Sequence, residues 1–291
     1  MQTLENLQRK IQTSQDLLSV VKTMKSLAAV NIRQYESAAA ALDQYYVIVE
    51  KGWQALFRDR VHLPHSRTDK GAVCLVLGSD QGMCGQFNDV VLDMALAHAD
   101  NLKSQGRTCS FWAAGERVLS GLEEGPGAEE FFSLPSSING ISEQMHRIVE
   151  TFGQWQQEKN TAVLYIIHNR QEQKVMGYRP SLNRVLPLDR EWLAEKKETP
   201  WPSRCIPMLG LPEMRLFDHL LRQYLFASFF RAFAQSMASE NSARLAAMQS
   251  AEKNILEMKE RLQGSYREVR QNLITSELFD IMSGFEAIME G

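Results

Sequence analysis

An uninterrupted heptad repeat across the first fifty residues constrains the fold of this chain more than any other feature of its sequence. Nearly all side chains at two positions of each seven are apolar, and the first proline is Pro64. One position holds Leu4, Ile11, Leu18, Lys25, Ile32, Ala39 and Tyr46, and the other holds Leu7, Ser14, Val21, Ala28, Tyr35, Leu42 and Val49. The repeat predicts one strand of a coiled coil, a helix of roughly 70 Å over these residues.

A second long helix is predicted for the last eighty residues, which follow Pro212 and contain no further proline. Proline suits the first turn of a helix, and a helix from there to the chain end would reach about 115 Å. Its apolar residues recur at spacings of seven or near it and then at four and three: Met248, Ile255, Leu262, Tyr266, Val269, Leu273, Ile274, Leu278, Ile281, Phe285 and Ile288. Residues 225–233, LFASFFRAF, are apolar on most sides, which predicts burial all round.

Between the two helices, short apolar runs alternate with helical stretches. The runs are AVCLVL (72–77), CSFWAA (109–114) and AVLYII (162–167). Runs of this kind are typical of strands buried on both faces. Helices are predicted between them, at 88–105 and 137–159, and the alternation favours a parallel sheet. Further along, 174–188 predicts two more strands around a turn, and the four prolines of 189–212 predict an irregular return.

The order of these segments predicts an α/β protein with a long antiparallel two-helix coiled coil, built from both chain ends, and an inserted Rossmann-like α/β domain. The expected segments are an N-terminal coiled-coil helix (1–58), the α/β domain (70–190), an irregular connection (191–212) and a C-terminal coiled-coil helix (213–291). Facing residue numbers should total roughly 270, so that Met24 faces the region of Ala246 and the second helix overhangs the first by about 20 residues. Because the overhang has an apolar stripe, we expect it to sit in a partner.

Composition sets the broad class of protein. Of 291 residues, 44% are hydrophobic and 23% charged, as in soluble globular proteins. A net charge of −3, with both signs mixed along the chain, argues against a nucleic-acid binder. Neither an apolar run of membrane-spanning length nor a signal-peptide pattern occurs, so we expect the protein on the cytoplasmic side. The four cysteines (Cys74, Cys84, Cys109 and Cys205) form no CxxC pair and predict free thiols.

A glycine-rich loop follows the first predicted strand, with Gly78, Gly82 and Gly85 in the run GSDQGMCG. The phosphate loop of nucleotide hydrolases needs a lysine and a hydroxyl that this run lacks, and the dinucleotide fingerprint GxGxxG also fails on spacing. A turn before a helix N-terminus can still accept an anion. The residues therefore leave open a structural turn, with Asn88 or Asp89 capping the next helix, and a nucleotide site.

Other candidate chemistry in the sequence is weaker. His62 and His65 have an HxxH spacing but stand on a proline-bearing loop without a nearby carboxylate pair or cysteine. The sequence contains no GxSxG, HExxH or paired-acid motif, so its residues indicate no catalytic site of these kinds. Lys25 occupies a seam position, where it either extends its amine to the edge of the helix pair or forms a salt bridge to a partner's carboxylate.

Four stretches together make the chain similar to a known family. They are IQTSQDLLSVVKTMKSLAAVNIRQ (11–34), with its Met24-Lys25 pair, GSDQGMCGQFN (78–88), ASENSARLAAM (238–248) and YREVRQNLITSELFDIMSG (266–284). They resemble the corresponding segments of the gamma subunit of rotary, F-type ATP synthases. The likeness runs from the N-terminus to the chain end and is weakest in the middle.

This resemblance implies a central-stalk rotor that couples transmembrane ion flow to ATP synthesis or hydrolysis without being catalytic itself. The implied partners are the alpha and beta subunits, arranged as a hexamer, the epsilon subunit and the c-ring. Through them the protein would be peripheral, at the cytoplasmic face of the membrane. The implied contacts with beta are Met24, Lys25, Arg244, Arg270, Gln271, Thr275 and Glu277. The glycines of the loop would then form a structural turn, and neither a nucleotide nor another cofactor is expected.

Several residues depart from the family pattern. Gln81 stands where arginine is usual, Gln86 where glycine is common, and Asn31 in place of a small or basic residue. The cysteine pair of the chloroplast thiol switch is missing from the sequence. These departures favour a divergent branch, of the type of a second bacterial ATPase. The alternatives at this point are a nucleotide-binding α/β enzyme with helical arms and an unrelated coiled-coil scaffold.

Overall fold

The computed structural model describes residues 3–58, 71–159, 161–172, 177–205 and 207–289. The helices are α1 Leu4–Arg58, α2 Phe87–Ser104, α3 Glu116–Glu123, α4 Ile141–Glu158, α5 Arg190–Glu198 and α6 Glu213–Met289. The strands are β1 Gly71–Leu77, β2 Thr108–Ala114, β3 Glu130–Phe132, β4 Thr161–Gln171 and β5 Tyr178–Leu186. The chain divides into two compact units, one of residues 1–28 with 245–291 and the other of residues 29–244.

Helix α1 confirms the predicted heptad, and its two seams differ in burial. The seam that starts at Leu7 and ends at Val49 is buried at all seven positions, whereas the seam that starts at Leu4 is half-buried throughout. Ser14, the polar member of the buried seam, donates its hydroxyl proton to the Lys10 carbonyl, 2.8 Å away, and so satisfies its own polar group.

Helices α1 and α6 run antiparallel, as predicted. Lys25 pairs with Glu252 within the first unit, and Asn31 donates to Asn241 within the second. In each pair the two residue numbers total close to the predicted roughly 270. The total for the Lys25 pair is slightly higher, because its two long side chains can bridge residues that are not directly opposite each other. Between 225 and 233 the side chains of α6 are either buried or half-buried, so the predicted burial all round holds only in part.

The α/β segment forms a five-stranded sheet in the order β3-β2-β1-β4-β5. Strands β1 to β4 are parallel, as the buried apolar runs predict, and β5 pairs antiparallel with β4 at one edge. One face packs on α4 and α6 through residues such as Trp112, Phe152 and Phe229. The other face packs on α2 and α3 through residues such as Val76 and Val91. Helices therefore cover both faces, as in doubly wound α/β folds.

Three sequence expectations need correction. The short elements α3 and β3 were not predicted, because an eight-residue helix and a three-residue strand have little periodicity. Residues 190–198, expected to be irregular, form α5, whose N-terminus is capped by Asp189 accepting from the Glu191 N–H at 3.0 Å. Of the two strands predicted within 174–188, the described residues show one, β5, while residues 174–176 lie outside the described part.

Candidate partner interface

The last described part of α6 is an uncovered apolar surface. From residue 270 to residue 284 every side chain is exposed, and we call this stretch the α6 tip. Its large apolar side chains are 46–64% exposed: Leu273, Ile274, Leu278, Phe279, Ile281 and Met282. The side chains of Phe285 and Ile288, also part of the predicted stripe, lie outside those described. A helix end with this much exposed apolar surface is typical of a binding surface.

Four of the predicted contact residues lie on this tip. Arg270, Gln271, Thr275 and Glu277 are all exposed, and Thr275 donates its hydroxyl proton to the Gln271 carbonyl at 2.9 Å. Arg270 and Glu277 are seven residues apart and share a face of the helix. The tip thus offers charged and amide groups beside an apolar stripe, a mixture suited to a partner that is both apolar and polar.

Met24 and Lys25 lie on α1 in the first compact unit, and both are half-buried. The Lys25 amine is 2.5 Å from Glu252 Oε2, so its salt bridge is made within the chain. A hydrogen bond from Lys25 lowers the pKa of the Glu252 carboxyl below its usual range. Of the two explanations weighed for this lysine, ion pairing holds, but the carboxylate belongs to α6 of the same chain.

The glycine loop between β1 and α2 directs its polar groups inward. The Gly78 N–H donates to the Ala114 carbonyl at 2.9 Å, and the Ser79 N–H donates to Asn88 Oδ1 at 3.0 Å. The Asn88 amide in turn donates to Ser79 Oγ at 3.0 Å. Asn88 is therefore inside α2, at its second residue, and ties the loop; it is not the helix cap that the sequence suggested. The N–H groups of Gly78 and Ser79, which could otherwise face a phosphate, are thus bonded to β2 and α2 of this chain.

The three glycines of the loop are needed for different reasons. A Cβ at Gly78 would lie 2.1 Å from Val118 Cγ2 and 2.8 Å from Asn88 Oδ1, so α3 and α2 approach too closely for any side chain. Gly85 has a φ of +61°, in the left-handed region that favours glycine. A Cβ at Gly82 would meet only the flexible end of Arg117, at 3.1 Å. Two of the three predicted turn positions thus have a clear steric or conformational requirement.

Arg244, the remaining predicted contact, bridges α6 and the glycine loop. Its Nη2 atom lies 2.7 Å from Glu240 Oε1 and 3.3 Å from the Gln81 carbonyl oxygen. Both charged side chains of this pair are nearly buried, at 14% and 13% exposed. The partner Glu240 was missed from the sequence, although its position four residues before an arginine on a helix is a recognisable signal.

The charged groups around the Arg244–Glu240 pair lie close enough to shift one another's pKa values. Burial raises the pKa of the Glu240 carboxyl, Arg244 opposes that rise, and Asp80 adds to it. Burial also raises the pKa of the nearby Cys84 thiol, which Arg244 opposes as well. On the other side of the loop, Asp80 Oδ1 accepts from the Glu116 N–H at 3.2 Å, at the start of α3. The loop is therefore attached both to α3 and to α6.

The described residues contain no cluster of three histidine, cysteine, aspartate or glutamate side chains that could hold a metal ion. The HxxH pair, His62 and His65, lies outside the described residues. None of the described helices combines the length and apolar character that a membrane crossing requires.

The sequence as a whole matches a known protein family. A family model described as ATP synthase covers residues 3–288. The ATP synthase gamma chain of Dinoroseobacter shibae is 27% identical over 302 residues, which cover 99% of this chain and 100% of the relative. The chain belongs to the ATP synthase gamma-chain family. A second gamma chain, from Geotalea uraniireducens, is 27% identical over 299 residues, with 99% of each chain covered. Family membership removes the alternative of an unrelated coiled-coil scaffold.

Solved structures of ATP synthase assemblies show the same fold. The rotor of Euglena gracilis mitochondrial ATP synthase in rotational state 1 has a TM-score of 0.61 at 14% identity, with 93% of this chain and 98% of that chain covered. A chain of the same enzyme's OSCP/F1/c-ring structure in rotational state 3 has a TM-score of 0.65 at 16% identity, with 98% and 94% covered. The predicted fold class is thereby confirmed.

Proposed function

We propose that this chain is the central-stalk rotor of an F-type ATP synthase and that the α6 tip is the surface on which the ring of alpha and beta subunits turns. Membership in the gamma-chain family supports the rotor assignment. The observation that supports this surface is the exposure of six large apolar side chains between residues 273 and 282. Left in water, such a stripe is unfavourable, and a ring of partners would bury it.

The mechanism follows from the asymmetry of the rotor. Two antiparallel helices present different side chains in each direction, so three chemically similar neighbours each meet different contacts. Each neighbour is biased toward a different conformation, and turning the rotor permutes those biases. The energy transmitted is the difference in contacts between states. Catalysis belongs to the partner beta subunits, and this chain supplies no catalytic residue.

Among the implied contacts, the four polar tip residues fit this role best. Arg270, Gln271, Thr275 and Glu277 are exposed and can bond to beta at one rotary angle and release at another. Charge-assisted hydrogen bonds of this kind contribute on the order of 1.5–3 kcal/mol each. The family likeness also assigns Met24, Lys25 and Arg244 to beta, but Lys25 and Arg244 already pair with acidic residues of this chain.

The remaining partners follow from the family. The α/β domain would contact the epsilon subunit and the c-ring, which places the chain at the cytoplasmic face of the membrane as a peripheral protein. The departures at Gln81, Gln86 and Asn31 support a divergent branch, in line with the low identity to the gamma chains compared above.

Two measurements test the proposal. First, a tagged chain expressed with its alpha and beta subunits should purify with them at one copy per six alpha and beta subunits. Recovery of the chain alone would contradict the rotor assignment.

Second, Arg270→Ala with Glu277→Ala should leave the complex assembled but change the rate of ATP hydrolysis several-fold and impair ion pumping in vesicles. The matched control is Arg261→Ala with Glu268→Ala, an exposed pair of the same spacing outside the tip. Equal rates for the tip variant, the control and the parent would show that the tip face is merely solvated.

A further inference from the structure

The Arg244 guanidinium occupies a position that the partner-contact role does not explain. One nitrogen, Nη2, lies within hydrogen-bond distance of both Glu240 Oε1 and the Gln81 carbonyl, at 2.7 and 3.3 Å. Only 14% of its side chain is exposed. The guanidinium therefore points toward the glycine loop of its own chain, and we call Arg244, Glu240 and the Gln81 carbonyl the brace.

The brace has an apolar counterpart on the same helix, one residue away. Cys84 and Phe87 pack against Ala243, and Tyr178 of β5 completes this small cluster. Cys84 is 1% exposed and Phe87 fully buried. The loop is thus attached to α6 at two points, a charge-assisted hydrogen bond at Gln81 and an apolar contact at Cys84.

The other side of the same loop is attached to the sheet and its helices. The Arg117 N–H donates to the Ser79 carbonyl at 3.0 Å, and Asp80 accepts from the Glu116 N–H. The Gln81 carbonyl also accepts from Ser79 Oγ at 2.9 Å. The oxygen that accepts from Arg244 is therefore fixed by a second hydrogen bond within the loop. A displacement of α6 at Arg244 would therefore pull directly on the loop that joins β1, α2 and α3.

We infer that Arg244 is a positioning residue that fixes the α/β domain to α6 through the Gln81 carbonyl, and that it acts inside the chain rather than on a partner. Its consequence for coupling rests on the proposed rotor function: a rotor transmits torque only if its domain and its helix turn together. Since the contact is to a backbone carbonyl, it requires no particular side chain at position 81, which is compatible with glutamine there in place of the family's usual arginine.

Thiol labelling of Cys84 tests the brace in the full chain without any partner. With Arg244→Ala, we expect the labelling rate of Cys84, measured by site-resolved mass spectrometry, to rise at least about tenfold. This is the change in the population of the open loop that corresponds to losing one charge-assisted hydrogen bond. Arg244 lowers the pKa of this thiol, so removing it would slow the reaction if electrostatics alone acted. The control, Arg270→Ala, removes an exposed arginine from the same helix and should label like the parent.

A double variant separates the brace from a simpler effect. Arg244→Ala leaves Glu240 buried without its partner, which could loosen the helix by itself. Arg244→Ala with Glu240→Gln removes that charge but does not restore the bond to Gln81. Rapid labelling that persists in the double variant supports the brace, and a return to the parent rate overturns it. Glu240→Gln alone keeps the Arg244 donor and should change the rate less than the double variant does.

The assembled enzyme tests the consequence for coupling. The double variant should reduce the ions pumped per ATP hydrolysed in vesicles, a ratio that a loss of stability alone would not change. Arg244→Lys, which keeps the charge on a flexible stem, should restore part of the ratio. A parent-like ratio with rapidly labelled Cys84 would overturn torque transmission by the brace. Failure of the proposed function would differ, because the chain would then not purify with alpha and beta at all.

Discussion

A buried histidine should make the stability of this chain sensitive to mild acid. His168 on β4 is 1% exposed, and its Nε2 atom lies 3.0 Å from Gln235 Oε1, to which it donates. Its Nδ1 atom is buried without a partner in the described structure. Burial lowers the pKa of His168 from 6.5 to about 4, and the positive charge of Arg170 adds to the effect.

The sign and size of the effect follow from this lowered pKa. A depressed pKa means that the folded state favours neutral His168, so its contribution to stability is complete above the unfolded pKa of about 6.5. The contribution is lost as the pH falls toward about 4. At about 1.36 kcal/mol for each pH unit, this interval corresponds to roughly 3 kcal/mol of unfolding free energy. Most of the loss should occur above pH 5, before carboxylates titrate in number.

Urea unfolding at several pH values between neutral and mildly acid would measure the loss. His168→Gln keeps a donor for Gln235 but cannot take up a proton in this range, so it should flatten the dependence on pH. His219→Gln, an exposed substitution on α6, is the control and should leave the parent's slope unchanged. Parallel losses of stability in the parent and His168→Gln would refute the reasoning, because the acid sensitivity would then come from other groups.

The glycine loop supports two further predictions. Gly78→Ala should lower the unfolding free energy by about 1–3 kcal/mol, because its Cβ would overlap Val118, whereas Gly82→Ala, facing a flexible arginine, should change it by less than about 0.5 kcal/mol in urea titrations. Equal effects would contradict the steric difference between the two sites. Calorimetric titration of the isolated chain with ATP should give no micromolar binding, because the Gly78 and Ser79 N–H groups already donate to Ala114 and Asn88 of this chain. A stoichiometric micromolar site abolished by Gly82→Val would contradict this interpretation.

Long periodic segments were predictable from the sequence because many residues repeat the same information. The seven buried seam positions of α1 and the absence of proline from 213 to 289 settle both long helices without any tertiary contact. Short elements lack this redundancy. Strand β3 has only three residues, and two of them are the charged Glu130 and the exposed Phe131. It forms because it can pair with the edge of β2. Helix α5 was not predicted because the prolines on either side of it favoured an irregular segment, although Asp189 is a typical N-cap residue.

Site residues were harder to predict because their partners are set by the fold. A heptad identifies Lys25 as a polar residue in an apolar seam, but only the packed helices show that Glu252 faces it. The likeness to gamma chains identified Arg244 as a candidate. Its contact, however, is to the backbone carbonyl of Gln81, about 160 residues away in sequence. Because every residue has a backbone carbonyl, residue identity cannot predict such a contact. Asn88 was noted as a helix cap, while its real bonds run backward to Ser79.

Helix α6 combines opposite environments along one continuous element, and this contrast bears on how a rotor subunit works. Between 225 and 239 its side chains are buried or half-buried against the sheet and α1, so packing determines the helix there. Over the α6 tip no side chain is covered, and helix propensity alone acts within the chain. The exposed stripe nevertheless keeps apolar residues where a soluble helix would gain from polar ones, which a requirement for solubility cannot explain. Under the proposed function, partners would bury this surface in every rotary state. Its apolar residues would give attraction without fixing one angle, and the polar residues beside them would supply the contacts that differ between angles.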